Sequence, residues 1–543
     1  MINAIYKFPR PENEPVKSYA PGSTERKELK EKLEELKSQT IDIPLIIGGK
    51  EVRTGNTGKV VMPHNHKHVL ATYHKAGPEE VKAAINSALE ARKKWSEMPW
   101  IERASINMKI AELLATKYRS LINAATMLGQ SKNPFQAEID AACETIDFLR
   151  FNVYYACQIY ADQPNNAPGT INRLEYRPLE GFIFALSPFN FTSIASNLSM
   201  APALMGNTVV WKPATTSVFS NYFLMKIYEE AGLPAGVINF IPGQGSVIGK
   251  EIFSHPDFGG VHFTGSTATF KHFWKTIGNN INTYKAYPRI VGETGGKDFI
   301  FAHKTADAKQ VATAITRGAF EYQGQKCSAA SRAYIPTSLW EDIKNFLKAD
   351  IESFTVGSTD DFSHFMNAVI DENAFDSIVS FIDEAKKSDK AEIISGGGSD
   401  KSKGYFIEPT VILTKDPHFI TMVEEIFGPV ITIYVYDDDK YKETLKLCDE
   451  TSPYALTGAV FAQDREALLQ GYEALRNSAG NFYLNDKPTG AVVDQQPFGG
   501  ARASGTNDKA GSYLNLIRWT NPRTIKETLV TPVDYRYPFL KKE

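Results

Sequence analysis

The sequence predicts an α/β protein with two parallel-sheet units and a smaller β-rich segment set apart from them. Short apolar runs alternate with helical patterns through the first half of the chain, and the same alternation starts again after Glu293. A stretch rich in Pro, Asn and Gly, 161–179, interrupts the series. With 543 residues, 42% hydrophobic and 23% charged, and no repeats or low-complexity tracts, the chain can bury several cores.

Residues 25–37 alternate glutamate with lysine and arginine, the pattern of a solvated helix face. Pro78-Glu-Glu-Val-Lys-Ala-Ala-Ile-Asn-Ser-Ala-Leu spaces its apolar residues three and four apart and opens with acids, which predicts an amphipathic helix. Within 161–179, Thr170-Ile-Asn-Arg-Leu-Glu-Tyr-Arg alternates apolar with charged residues and predicts an exposed hairpin. Phe182-Ile-Phe-Ala-Leu, Thr208-Val-Val-Trp, Val237-Ile-Asn-Phe-Ile and Val261-His-Phe read as buried strands of βαβ units. After Glu293 come Phe299-Ile-Phe, a helix over 306–321, Ala333-Tyr-Ile and a helix over 337–350. Leu514-Asn-Leu-Ile-Arg-Trp-Thr and Thr524-Ile-Lys-Glu-Thr-Leu-Val have strand character and no local partner, so a strand exchanged with a second subunit is expected. The resulting division is 1–160 with 180–295, then 296–500, then 161–179 with 501–543.

A net charge of −3 leaves no basic footprint for nucleic acid. No run approaches the ~20 apolar residues that cross a bilayer. Met1 to Glu14 has neither a secretory apolar region nor the arginine-rich character of a transit peptide, which makes the cytoplasm the default, with the mitochondrial matrix the expectation in a eukaryote. Cys143, Cys157, Cys327 and Cys448 never pair at C-x-x-C spacing, so no metal cluster is expected.

Cys327 stands among small residues in Gly324-Gln-Lys-Cys-Ser-Ala-Ala-Ser331. A free cysteine is usually a small buried hydrophobe, and its neighbours in sequence order change the reading. Val291-Gly-Glu293-Thr-Gly-Gly-Lys-Asp298 puts a carboxylate at the end of an apolar strand, Ser187-Pro-Phe-Asn190 places an amide at a strand exit, and Val209-Val-Trp-Lys212-Pro ends a β-rich run in lysine. Nucleophile, base and oxyanion donor are the parts that acyl chemistry needs.

With Phe263-Thr-Gly265-Ser266, Glu424-Glu425-Ile-Phe427-Gly-Pro and Asp494-Gln-Gln-Pro-Phe498-Gly-Gly added, the chain resembles the aldehyde dehydrogenases over about 45–527. Phe320-Glu-Tyr-Gln-Gly-Gln-Lys-Cys-Ser and Gly480-Asn-Phe-Tyr-Leu-Asn-Asp-Lys make the pyrroline-5-carboxylate dehydrogenases the nearest group. The resemblance implies a Rossmann-like NAD-binding domain, an α/β catalytic domain and a β-hairpin oligomerisation segment. It implies NAD-linked oxidation of L-glutamate γ-semialdehyde to L-glutamate, a step of proline breakdown. Cys327 would form the thioester, Asn190 and the Cys327 N–H would hold the oxyanion, and Glu293 would activate water. Ser187, Phe189, Lys212, Gly265, Ser266, Glu425 and Phe427 would meet NAD; Glu144, Phe191, Ser328, Gly490, Ala491 and Phe498 would meet the substrate. Phe270 replaces a glycine that many relatives carry near the diphosphate, Thr215 replaces a glutamate that repels a 2′-phosphate, and Ala491 replaces a serine. The resemblance further implies a homodimer or higher homo-oligomer, and a proline dehydrogenase as partner. Another semialdehyde or aliphatic aldehyde dehydrogenase, or a non-catalytic scaffold on the same fold, are the alternatives.

Overall fold

Phe182–Leu186, Val209–Lys212, Ile238–Phe240, Phe258–Thr264 and Arg289–Glu293 are rich in β-branched and aromatic residues and almost wholly buried, as parallel strands covered on both faces must be. They join two antiparallel edge strands, Leu45–Ile47 and Lys50–Val52, in one seven-stranded sheet. Phe182–Leu186 and Phe258–Thr264 lie side by side, yet the chain proceeds from the first toward Val209–Lys212 and from the second toward Arg289–Glu293. Their carboxyl ends therefore diverge at a topological switch point, the place where open α/β sheets bind ligands.

The computed structural model describes residues 5–542. Residues 1–4 and 543, the outermost parts of the first and last segments delimited above, lie outside the described residues. A second seven-stranded sheet has Asp298–Ala302 and Ala330–Pro336 near its centre, flanked by Val430–Tyr436 and Thr457–Phe461. Only 294–297 separate Glu293, on the edge of the first sheet, from Asp298, inside the second. The site described below forms at this crossing. Among the described residues no helix is long and apolar enough to cross a membrane.

The outlying β-rich segment differs from expectation. Residues 161–179 form one strand, Thr170–Pro178, not a hairpin, and its antiparallel partner is the tail strand Thr520–Thr528 of the same chain. A strand that alternates apolar with charged residues looks the same whether its partner is adjacent or hundreds of residues away, so local sequence misassigned it. Leu514 and its neighbours belong to a short helix, Tyr513–Ile517, started by the Ser512 hydroxyl accepting from the Leu514 amide at 3.3 Å.

Candidate active site

Ahead of Cys327, Tyr322, Gln323 and Gly324 take left-handed φ of 51°, 54° and 65°. Glycine is needed at 324, where a Cβ would sit 2.1 Å from the Gly428 carbonyl oxygen. For Tyr322 and Gln323 the conformation costs on the order of 1 kcal/mol or more each. It is held because the Gln323 amide donates to the carbonyls of Ser131 (3.0 Å) and Ala368 (2.8 Å), and the Tyr322 ring lies buried 4.4 Å from the Lys132 ammonium. This turn brings Cys327 to the head of Ala330–Pro336. Asn190, 3% exposed, donates from Nδ2 to the Gln325 carbonyl at 3.1 Å, so amide and nucleophile belong to one tied unit. The second Nδ2–H remains for a ligand oxygen. Burial, then the carboxyls of Asp298, Glu293, Glu425 and Glu144, push the Cys327 thiol well above its ordinary range.

Glu293 ends the edge strand, and its Oε2 accepts from the Gly500 amide at 2.7 Å. A Cβ at Gly499 would lie 3.1 Å from Glu293 Oε1, and Gly505, at φ 146°, would bring one 2.5 Å from the Gly292 carbonyl oxygen and 3.0 Å from Glu293 Oε2, so the chain packs closely around the acid at both positions. Burial raises the Glu293 carboxyl well above the carboxylate range, while the Gly500 amide and the Lys509 ammonium pull it back. Lys509 donates to the carbonyls of Gly480 (2.7 Å) and Gly499 (3.2 Å). It thus pins the loop that presents Gly500.

At the switch point, the Ser266 hydroxyl accepts from the Thr269 amide at 3.3 Å and caps Thr267–Asn279, leaving the first amides of that helix directed outward. The Gly265 amide donates to the Glu293 carbonyl at 3.2 Å, so the helix start and the acid are one turn of structure. Phe270 is buried, stacked on Phe263 at 5.5 Å, and a Cβ at Gly292 would meet its ring at 2.3 Å. The residue that replaces a glycine therefore faces the sheet and leaves the helix start open. Lys212 is 7% exposed, its ammonium bonds only the Pro213 carbonyl (3.0 Å) among the described residues, and burial drops it to about 8. Such an under-used buried cation suits ribose hydroxyls. The Ser187 hydroxyl accepts from the Trp211 indole at 3.0 Å, which leaves its carbonyl for any cofactor contact. Thr215 opens a short 3₁₀ turn and brings no carboxylate beside Lys212. Glu425 accepts from the Gly296 amide at 2.9 Å and is pushed to about 7 by burial. Phe427, at φ 56°, meets Phe189 edge-on at 5.8 Å. Cys327, Glu425 and Phe427 line one small cavity. A buried cation, an open helix start and a carboxyl in this order fit a dinucleotide.

On the other side of Cys327, a seven-residue π-turn, Glu138–Glu144, precedes Thr145–Ala161 and projects Asp140 and Glu144. Asp140 accepts from Lys132 at 2.7 Å and from the amides of Thr192 (3.0 Å) and Ser193 (2.9 Å), fixing the start of Thr192–Leu204. The Ser193 hydroxyl lies 2.8 Å from Asp140 Oδ1 and 2.7 Å from Glu144 Oε2. One hydroxyl has one proton to give. With Asp140 accepting it, the second contact calls for a proton on Glu144, whose carboxyl burial and Asp140 raise to about 8. Lys132 sits 4.0 Å from the centroid of the Phe191 ring. The Ser328 hydroxyl is 2.9 Å from that of Thr489, joining the nucleophile loop to Gly490, which has φ 93°. The amides of Gly490 and Ala491 meet no protein acceptor among the described residues. Phe498 pairs its backbone with Ala510.

A model described as the aldehyde dehydrogenase family matches residues 51–525. The chain belongs to the aldehyde dehydrogenase family. It is 56% identical over 536 residues to a protein from Dictyostelium discoideum named delta-1-pyrroline-5-carboxylate dehydrogenase, mitochondrial, covering 98% of this chain and 96% of that one. The Homo sapiens protein of the same name is 48% identical over 530 residues, 97% of this chain and 94% of its own. A crystal structure of the Mycobacterium tuberculosis delta-pyrroline-5-carboxylate dehydrogenase bound with NAD superimposes with a TM-score of 0.96 at 50% identity, covering all of both chains.

Within this aldehyde dehydrogenase fold, the carboxyls of Glu293, Glu425 and Glu144 all act on Cys327, Asn190 is tied to its loop, and Ser328 connects it to the 489–491 turn. Lys212 and Ser266 also sit at the carboxyl ends of the first sheet, Ser266 directly after the Gly265 amide that bonds the Glu293 carbonyl. Lys509, Asp140, Lys132 and Thr489 escaped sequence reasoning. A lysine nine residues after the Gly499-Gly500 pair carries no local signal of the acid it faces.

Proposed function

We propose that this aldehyde dehydrogenase oxidises L-glutamate γ-semialdehyde, the open form of 1-pyrroline-5-carboxylate, to L-glutamate with NAD as oxidant. The observation that carries the reading is full-length identity of about half to proteins named for this substrate. The aldehyde carbon is attacked by the Cys327 thiolate. Negative charge then collects on the former carbonyl oxygen, where the Asn190 Nδ2–H and the Cys327 N–H receive it; removing one such donor costs about 3 to 4 kcal/mol of barrier. NAD, when bound, supplies the acceptor for the hydride. The resulting thioester on Cys327 is opened by a water from which Glu293 takes a proton, and the raised carboxyl is a stronger base than a solvated glutamate. Lys212, Glu425 and the start of Thr267–Asn279 would hold the cofactor, with Ser187, Phe189, Gly265, Ser266 and Phe427 around it.

At the far end of the substrate, Glu144 faces the ammonium. The amides of Gly490 and Ala491 with the Ser328 hydroxyl face the α-carboxylate, and Phe191 and Phe498 flank the aliphatic chain. In this reading 1–160 with 180–295 carry the cofactor and 296–500 the nucleophile. The Thr170–Pro178 and Thr520–Thr528 ribbon, with its exposed Ile171, Leu529 and Val530, serves assembly into a homodimer or larger oligomer. The compartment is the mitochondrial matrix in a eukaryotic host and the cytoplasm in a bacterial one, where a proline dehydrogenase would supply the substrate. Adding pyrroline-5-carboxylate and NAD to the purified protein should yield NADH, and Cys327→Ala should abolish it while NAD binding persists. No NADH from the wild type would remove the substrate assignment, and normal turnover by the variant would remove the nucleophile.

A further inference from the structure

Residues 10–19 run between two parts of the molecule that the chain places far apart. On one side is the π-turn Glu138–Glu144 with the helix that follows it. Asn13 Nδ2 donates to Asp147 at 2.9 Å and the Glu14 amide donates to the same carboxylate at 2.8 Å. The Lys17 amide and the Tyr19 hydroxyl both donate to Glu138, at 2.9 and 2.7 Å, while Arg119 joins Glu14, Glu138 and the Pro15 carbonyl. On the other side is the loop after Ala491. Arg10 Nε donates to Asp494 Oδ2 at 2.8 Å, the Tyr155 hydroxyl donates to the other oxygen of Asp494, and Asn13 Nδ2 also donates to the Val493 carbonyl at 3.0 Å. Gln495 returns a bond to Asn13 Oδ1 at 2.8 Å. Asp494 itself has φ 73°, in the left-handed region that aspartate adopts more readily than most residues.

Within the strap Asn13 therefore touches both sides, and Tyr155 on the helix after the π-turn adds a direct tie to Asp494. The π-turn ends in Glu144 and the loop begins at Gly490 and Ala491, the two halves that the proposed function assigns to the amino-acid end of the substrate. We infer that residues 10–19 act as a strap that sets the spacing of those halves and so tunes selectivity for an aldehyde carrying α-amino and α-carboxylate groups. The strap lies outside the 51–525 stretch matched by the general family model, whereas likeness to the NAD-bound Mycobacterium tuberculosis structure covers the whole chain. Arg10 and Asn13 are positioning residues: they touch neither nucleophile nor cofactor, and act through the loop and the π-turn.

This inference rests on the proposed substrate, and the test separates the two. In full-length protein, kcat and KM are measured for glutamate semialdehyde and for pentanal, which has the same carbon chain without the charged groups. Arg10→Ala combined with Asn13→Ala should raise KM for the semialdehyde about tenfold or more, the effect of losing roughly one charge-assisted hydrogen bond in positioning. Its kcat, and both constants for pentanal, should stay within about twofold. Arg10→Lys with Asn13 intact should recover most of the loss. Equal damage to both aldehydes, or none to either, would overturn the strap. A wild type that ignores glutamate semialdehyde would instead overturn the substrate reading, whatever the variants do. Arg10 is largely exposed at its side chain, so Arg10→Ala alone keeps the test available should the double variant fold poorly.

Discussion

At the reacting end of the site, Cys327 and Glu293 are held by bonds that have main chain on one side: the Gly500 amide, the carbonyls that Lys509 caps, and a turn of left-handed residues that Gln323 and Asn190 tie to carbonyls. At the recognition end, side chains hold side chains. Lys132 meets Asp140, Ser193 bridges Asp140 to Glu144, and Arg10, Asn13 and Tyr155 converge on 493–494. The difference follows from the task. Groups that change charge during a reaction gain from fixed dipoles that need no reorganisation. A site that must accept an ammonium and a carboxylate has to replace their water with charges and donors already in place, and only side chains supply charge.

If the two ends are separable, lesions at the reacting end should damage all aldehydes, and lesions at the recognition end only the charged one. The largest effect belongs to Glu293→Gln. It should release one equivalent of NADH per site from either aldehyde and then turn over about 10² to 10⁴ times more slowly. A variant that loses the burst as well would mean Glu293 activates the thiol. Lys509→Met comes next. The Lys509 ammonium holds the Glu293 carboxyl down, so its removal lets that carboxyl rise and leaves less base at neutral pH. The pH limb of hydrolysis should move to higher pH for both aldehydes, and Lys509→Arg should restore it. An unchanged profile would reduce Lys509 to a loop anchor.

At the recognition end, the Glu144 carboxyl, lifted to about 8, is mostly neutral at lower pH and becomes the anion that an ammonium requires as pH rises through that value. Inhibition by the product L-glutamate should therefore strengthen between about pH 6 and 8, by at most about tenfold per unit. Pentanoate, which has no ammonium, should show no such trend; parallel trends would detach Glu144 from the ammonium. The smallest effect is expected for Thr489→Val, which removes the partner of the Ser328 hydroxyl. A neutral hydrogen bond contributes about 1 kcal/mol, so KM for the semialdehyde should rise roughly fivefold, with Ser328→Ala equal or larger. Losses shared by pentanal would mean that the pair positions Cys327.

Legibility in the sequence divided along the same line. Cys327, Glu293 and Asn190 each sit in a short contiguous motif because main-chain geometry is local, and glycines mark where a Cβ cannot go. The two sheets were legible for a related reason, since buried parallel strands read as continuous apolar runs. The strap, the π-turn and the 493–494 loop have no such signature. The contacts of the strap with the π-turn helix and with 493–494 join residues more than a hundred positions apart, and Asn13 or Asp494 taken alone is an ordinary polar residue. Pairing of Thr170–Pro178 with the tail escaped for the same reason, as did the inward turn of Phe270.

The most direct test of a separate, charge-reading recognition end is the ratio of kcat/KM for glutamate semialdehyde to that for pentanal in the unmodified enzyme at neutral pH. Buried donors and acids left unpaired by an analogue lacking their partners discriminate by about 10³ or more. The account predicts a ratio of that order in favour of the semialdehyde, and comparable values for the two aldehydes would contradict it.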